Sequence, residues 1–356
     1  MESAVADVHV DTQPDGALLV RWAIEGEPVA VDVATGPTPD HVDHLHHTTL
    51  TAGQCSVRIG PLGPGRHFVS VAPHGHGPAV VAADRRVPFE GVTNFRDLGG
   101  YATSGGGRTR WGLVFRADAL NGLSPEDLRL YEHLGLRTVF DLRRDVEREN
   151  LPNPFPSRAL TVVGRPADAD DSTSMPTSSW TTATDGERIL HELYVGLIEH
   201  AAEQIGELFG CLAGVDGLPA VFHCHAGKDR TGIVAALLLE ALGVERDVIL
   251  DDYELTARYR LRTHQERTYQ RLLESGISPE AAAGVLTAPR WAMEHALDEL
   301  DGRYGDIESY LTGPAGMRLE DVETLRLRLV SARQGAGGSA RSAANRSTLR
   351  RRRAAR

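Results

Sequence analysis

The stretch 218–242 constrains this fold more than any other part of the chain. Leu218-Pro219-Ala220-Val221-Phe222-His223 reads as a short buried strand, and residues 231–242 read as a helix that is apolar on almost every side. Such a helix has no solvent face and must lie inside a layered core. Only a few residues join it to the strand, so strand and helix pack directly against each other. Flanking patterns agree. Ser124-Pro125-Glu126-Asp127 combines an N-cap, a proline at the first helical position and an acid three residues after the cap, and Gly135 ends the predicted helix. Strands are expected at 138–140, running into Asp141-Leu142-Arg143, and at 159–163, with a long helix over 187–212. Residues 164–186, rich in Asp, Ser, Thr and Pro, read as a loop, and helical patterns continue to about residue 330. Alternating strands and helices predict an α/β layered domain with a mainly parallel sheet.

The first 88 residues have a different texture. Val-rich runs of alternating polarity recur at 6–11, 17–24, 29–34, 55–59, 67–71 and 79–87, separated by turn clusters such as Pro14-Asp15-Gly16. This predicts an all-β sandwich and, with Trp22 in the second run, resembles a fibronectin type III module. A chain of 356 residues exceeds one ordinary core. The expected organisation is therefore 1–88, a β-sandwich; 89–330, the α/β domain; and 331–356, a disordered tail carrying eight Arg and no acid.

Outside that tail, 30 basic residues face 49 acidic ones, a net of -19, which argues against nucleic acid as the main partner. No apolar run is long enough to cross a bilayer, and residues 1–7 lack the pattern of a secretory signal, so a cytoplasmic location is expected, with non-classical secretion left open. Cys55, Cys211 and Cys224 are odd in number and widely spaced, which speaks against a disulfide framework.

The chemistry concentrates in His223-Cys224-His225-Ala226-Gly227-Lys228-Asp229-Arg230-Thr231-Gly232. A loop that enters a helix N-terminus points its amides at one place, and that place suits a phosphate dianion. The same field, with Lys228 and Arg230 nearby, should favour the thiolate of Cys224, the form that attacks phosphorus. The amides of His225, Ala226 and Gly227 would cradle the phosphate, and Arg230 would grip two of its oxygens. Thr231 would hydrogen-bond the sulfur and help it leave. Lys228 is the only lysine in the chain, so a cation of that particular shape stands out beside Cys224. No metal or other cofactor is called for.

That string resembles the signature of the cysteine-based tyrosine phosphatases. Together with Thr93-Asn94-Phe95-Arg96-Asp97-Leu98-Gly99-Gly100, Phe115-Arg116-Ala117-Asp118, Asp141-Leu142-Arg143, Tyr304-Gly305 and Tyr310-Leu311, it resembles the atypical bacterial branch, whose members also hydrolyse phosphoserine, phosphothreonine and phosphoinositides. The resemblance implies Cys224 as nucleophile, Arg230 as phosphate clamp and Asp229 as general acid, with Asp168, Asp170, Asp171 and Asp185 as alternative acids because no Trp-Pro-Asp tripeptide is present. Lys228 would meet a second phosphate on an inositol ring, and Asp141, at a strand's C-terminal end, would contact the substrate. Asn94, Arg96 and Asp97 would pack and orient the loop. A helical lid is implied within residues 245–290.

The expected reaction is hydrolysis of phosphotyrosine, and of phosphoserine and phosphothreonine, in a phosphoprotein. A phosphoinositide substrate is the alternative, and a silent phosphate-binding adaptor is the alternative of another class. A protein partner is expected for the N-terminal module. His41, His44, His46 and His47, beside Asp40 and Asp43, read as a solvated loop rather than a metal site.

Overall fold

The computed structural model describes residues 4–42, 46–63, 65–75, 77–162, 164, 182–259, 266, 269–270, 272–274, 276–286 and 288–331. The chain divides into two compact units, one running to Asp84 and the other covering Arg85–Ser331. The division falls before Arg85 because that side chain is anchored within the second unit. Its Nη1 donates to the carbonyls of Asp97 and Gly99, and its guanidinium lies 3.8 Å from the centre of the Tyr101 ring. The expected Arg-rich tail, beyond Ser331, lies outside the described residues.

The first unit is all-β. Strands β1 (Ala4–Thr12), β2 (Leu18–Glu25) and β5 (Ser56–Ile59) form one sheet; β4 (His46–Leu50), β3 (Val31–Gly36), β6 (Phe68–Pro73) and β7 (Val80–Ala83) form another, and every pairing is antiparallel. Val20 and Trp22 on β2, Val31 and Val33 on β3, and Val69 and Val71 on β6 are buried, the inward half of a period-two pattern. β4 corrects one expectation. His46 and His47 belong to a strand paired with Thr35 and Ala34, not to a loop. Their polarity hid it, because hydrogen bonding to β3 needs only backbone. Asp43 and His44 lie outside the described residues.

In the second unit the sheet order is β11-β10-β12-β9-β8, made of β11 (Arg158–Ala159), β10 (Thr138–Asp141), β12 (Ala220–His223), β9 (Val114–Ala117) and β8 (Arg96–Asp97). Four strands are parallel, and β8 runs antiparallel to β9 at the edge. Registry places Asp141, His223 and Ala117 side by side, so three strands deliver their following loops to one edge of the sheet. That is where α/β folds build sites.

The helices are α1 (Pro125–His133), α2 (Asp145–Asn150), α3 (Ala183–His200), α4 (Ala202–Ala213), α5 (Asp229–Ala241), α6 (Arg246–Tyr259), α7 (Pro279–Leu286), α8 (Arg290–Tyr304), α9 (Ile307–Thr312) and α10 (Leu319–Leu329). Ser124 and Asp127 form the expected capping box, and Gly135 takes φ +60° after α1. α5 is buried along nearly its whole length at the centre of the core. Two expectations need correction. The strand expected at 159–163 is the two-residue β11. The long helix expected over 187–212 is two helices meeting at Ala201, whose φ of -109° and ψ of 15° leave the helical range. The Tyr310 hydroxyl donates to the Ile198 carbonyl at 2.8 Å, taking the acceptor that a continuous helix would offer to the Ala202 amide.

Candidate active site

β12 ends at His223, Cys224 follows it, and α5 begins at Asp229. Residues 224–228 make the turn between them. Gly227 takes φ +64°, and a β-carbon there would come within 2.6 Å of the Ala117 carbonyl oxygen. Only glycine allows the loop to pass this close to the end of β9.

The loop is held by its carbonyls, from outside. The Ala119 amide donates to the His225 carbonyl at 3.1 Å. Asn94 Nδ2 donates to the carbonyls of Ala226 and Gly227 at 3.3 and 3.0 Å, and Arg116 Nη2 donates to Gly227 at 2.9 Å. A trans peptide carries its N–H opposite its C=O. Anchoring the carbonyls of 225–227 outward therefore turns the amides of Ala226, Gly227 and Lys228 inward. The Ala226 and Gly227 amides donate to no described residue. The result is a cradle of unspent donors at a helix N-terminus.

Behind the loop sits a buried charge cluster. Asp252 on α6 receives Arg96 Nε at 3.1 Å, Arg116 Nη1 at 2.7 Å and the Tyr101 hydroxyl at 2.8 Å. Arg96 also donates to Asn94 Oδ1, which fixes the amide of Asn94 so that its nitrogen faces the loop. Burial alone would raise the Asp252 carboxyl, but Arg96 and Arg116 hold it far below the usual carboxylate range. Burial and the Arg96 charge bring Arg116 down to about 10, so it remains a cation at neutral pH. Asp97 ties the neighbouring turn, accepting the amides of Gly99 and Gly112, each at 2.7 Å.

Arg230 is fixed by a residue that the sequence did not single out. Its Nη1 and Nη2 donate to Glu147 Oε2 and Oε1 at 2.7 and 2.9 Å, an end-on fork from α2. Five N–H groups are available on a guanidinium, and this pairing leaves the Nε edge open, with no described acceptor. Burial opposes the Arg230 charge, but Glu147 and the Cys224 charge hold it above its ordinary value. Burial likewise would raise Glu147, and pairing with Arg230 brings it down to about 2.

Cys224 is buried at 2% exposure and forms no disulfide. Thr231 is fully buried, and its Oγ1 has no hydrogen-bond partner, the Cys224 sulfur included, among the described residues. Asp229 Oδ1 receives the Tyr194 hydroxyl at 2.8 Å and lies 3.1 Å from Lys228 Nζ. Lys228 is only 3% exposed.

Asp141, expected to touch substrate, is instead spent inside the fold. Arg143 donates to both its oxygens at 2.8 and 2.7 Å, Asn153 adds 3.0 Å, and His223 Nε2 lies 3.6 Å away. A carboxylate this saturated supports the base of the loop. His223, beneath Cys224, is lowered to about 4, chiefly by burial and against the pull of Asp141, so it is neutral at pH 7. Of the alternative acids, Asp185 closes a capping box with Thr182 at the start of α3. Asp168, Asp170 and Asp171 lie outside the described residues, as do 260–265, 267, 268, 271, 275 and 287 within the stretch where a lid was expected.

Glu147, Arg116, Tyr194 and Asp252 carry weight that the sequence alone does not assign. Arg116 lies in the Phe115–Asp118 motif, but nothing in the string of letters pairs residues 83 or 156 positions apart, as Glu147–Arg230 and Arg96–Asp252 are.

A family model described as "Tyrosine phosphatase family" matches residues 87–331. A protein of Cupriavidus necator named as a putative tyrosine-protein phosphatase is 29% identical over 244 residues, 68% of this chain and 88% of its own length. A triple specificity protein phosphatase of Mycobacterium tuberculosis is 29% identical over 283 residues, 68% of this chain and 98% of its own. A tyrosine-protein phosphatase of Nostoc commune is 28% identical over 227 residues, covering 60% and 73%. The family match leaves the N-terminal unit outside.

Proposed function

Because the chain belongs to the tyrosine phosphatase family, we propose that it hydrolyses phosphotyrosine, phosphoserine and phosphothreonine in proteins through the loop 224–230, with Cys224 as nucleophile. The relative named a triple specificity protein phosphatase supports a range wider than phosphotyrosine. The observation that carries the reading is the outward anchoring of the 225–227 carbonyls, which leaves inward amides between Cys224 and the open edge of Arg230.

The reaction has two displacements. The Cys224 sulfur donates an electron pair to phosphorus, the S–P bond forms, and the bond to the ester oxygen breaks. Asp229, protonated, gives its proton to that leaving oxygen. Water then attacks phosphorus, Asp229 takes its proton, and the S–P bond breaks, releasing phosphate and the thiolate. Amides of 226–228 and the Arg230 fork bind the equatorial oxygens, whose charge they meet in both steps. The Arg230 position does not drift, because Glu147 holds the other side of its fork.

The phosphoinositide alternative loses its carrier. Lys228, expected to meet a second phosphate, is buried and paired with Asp229. The N-terminal unit, with its three- and four-stranded antiparallel sheets and buried Trp22, supports the reading of a fibronectin type III-like sandwich that binds a protein partner.

Cys224→Ser should abolish hydrolysis of an aryl phosphate while still binding it, and chelation by EDTA should leave the wild-type rate unchanged. Retained turnover in Cys224→Ser would remove the covalent mechanism. Turnover of any phosphoester by the wild type separates the enzyme from a silent binder.

A further inference from the structure

We propose that Tyr194 is a positioning residue for Asp229: together with Lys228 it occupies one carboxylate oxygen, so that the proton Asp229 delivers is carried on the other. The proposal rests on reading Asp229 as the general acid.

Two tyrosines from separate helices meet at Asp229. Tyr194 on α3 and Tyr253 on α6 are buried, at 0% and 1% exposure. Their hydroxyl oxygens are 2.5 Å apart, and Tyr194 lies 2.8 Å from Asp229 Oδ1. Tyr194 has one hydroxyl proton. A carboxylate only accepts, so that proton goes to Asp229, and Tyr253 must donate to Tyr194. The direction of the chain is thereby fixed, Tyr253 to Tyr194 to Asp229. Burial, and then the charge of Asp229, push both hydroxyls well above their ordinary value, so neither ionises in the working range.

Lys228 Nζ reaches the same oxygen, at 3.1 Å. An ammonium also donates only. Asp229 Oδ1 thus accepts the Tyr194 hydroxyl and faces the Lys228 charge, both of which disfavour a proton on that oxygen. Oδ2 receives no hydrogen bond from the described residues. When Asp229 is protonated, the proton sits on Oδ2, and Tyr194 keeps its bond to Oδ1 in either state. As the proton leaves, the charge that develops on the carboxylate is met by a donor already in place and polarised by a second hydroxyl. The simpler account is that two buried phenols need partners and Asp229 is convenient. The two accounts differ in what they do to proton transfer.

The test is a series of aryl phosphates whose phenols span a wide range of acidity. A dinitrophenolate leaves unaided, whereas phenol needs its proton. The readout is the slope of log kcat/KM against the acidity of the leaving phenol, which reports the first displacement. Tyr194→Phe keeps the ring and deletes the hydroxyl. It should lower kcat/KM for phenyl phosphate about tenfold and for dinitrophenyl phosphate by less than about twofold, steepening the slope. Asp229→Asn should steepen it further. Tyr253→Phe should steepen it less than Tyr194→Phe. A partly folded preparation lowers every point equally and leaves the slope alone, so poor folding cannot imitate the result. A wild-type slope in Tyr194→Phe, beside a steep one in Asp229→Asn, overturns the role of Tyr194 alone. A wild-type slope in Asp229→Asn removes the general-acid reading and this proposal with it.

Discussion

The second unit contains two arginine–carboxylate clusters that touch the same loop and serve opposite ends. Asp252 with Arg96 and Arg116 is sealed, none of the three side chains exceeding 1% exposure. Glu147 with Arg230 is half-open, at 19% each. In the first, the carboxylate is saturated by two guanidiniums and a phenol, and the spare donors of Arg96 and Arg116 go to Asn94, Thr256 and the Gly227 carbonyl. In the second, one edge of the guanidinium meets no acceptor among the described residues and is left for a ligand. The same pair chemistry makes a scaffold when the guanidiniums are sealed in the core, where even the Arg116 Nε, without a partner among the described residues, is out of reach of a ligand. It makes a clamp when an open edge is left at the loop. The sealed cluster also holds two guanidiniums against one carboxylate, an excess of positive charge behind a loop meant for phosphate.

The largest expected effect comes from breaking the sealed cluster. Asp252→Asn keeps the shape but leaves two buried cations without a counter-charge. Removing one partner of a buried pair costs about 3–5 kcal/mol, so the denaturant midpoint should fall sharply, and thermal unfolding should move with it. A loss below about 1 kcal/mol would mean that the cluster is hydrated and is no scaffold.

A second test asks whether all charge beneath the loop is paired in this way. His223 is buried and neutral, lowered to about 4, while in the unfolded chain it takes up its proton near the ordinary value of 6.5. Between those values the unfolded state binds more protons than the folded one. Stability is therefore complete above about pH 6.5 and is lost as pH falls toward 4, by on the order of 3 kcal/mol. Urea unfolding at a series of pH values measures it. A flat profile would mean that His223 takes up its proton equally in the folded and unfolded states, and stability that rises as pH falls would show it charged against Asp141, a second sealed ion pair.

Glu147→Gln addresses the clamp. It removes the charge that fixes Arg230 while sparing the sealed cluster. Misplacing a substrate-positioning group by about an ångström costs up to about 10²-fold, so kcat/KM for an aryl phosphate should fall by roughly 10–100-fold with little change in the unfolding midpoint. Because Glu147 titrates at about 2, the clamp should survive acid that protonates ordinary carboxylates. A fall in stability as large as that of Asp252→Asn, with kcat/KM intact, would erase the distinction between the clusters.

How much of the molecule was legible in its sequence depends on distance along the chain. The loop 224–230 could be read because strand, turn, nucleophile, cation and helix are contiguous, and local steric and dipolar rules apply to contiguous residues. The buried α5 was legible for the same reason. The support was not. Arg96, Arg116 and Asp252 come from two strands and a helix; Arg96 was expected to orient the loop, but its partner Asp252 and the part played by Arg116 were not, since each of those alone reads as an ordinary surface charge. For Asp141, a strand's C-terminal end predicts proximity to a site but not that its oxygens are taken by Arg143 and Asn153. β4 was hidden by His46-His47, and the break at Ala201 by a hydroxyl more than a hundred residues away.

The smallest effect tests the bridge between the sealed cluster and the loop. Asn94 takes a hydrogen bond from Arg96 on one side of its amide and gives two to the loop on the other. Asn94→Ala would leave the Ala226 carbonyl without its described donor, while Gly227 keeps Arg116. One buried hydrogen-bonding group left unpaired costs about 1–3 kcal/mol, and water reaching the loop would bring the loss toward the lower end. The more telling quantity is catalytic. If the outward pull on the carbonyls is what turns the amides inward, kcat/KM should fall several-fold even though Asn94 touches neither sulfur nor substrate, and Asn94→Asp, which accepts but cannot donate, should not rescue it. Rescue by Asp would mean that the amide's acceptor side, facing Arg96, is the one that matters. The sealed cluster would then act on the loop through Arg116 alone.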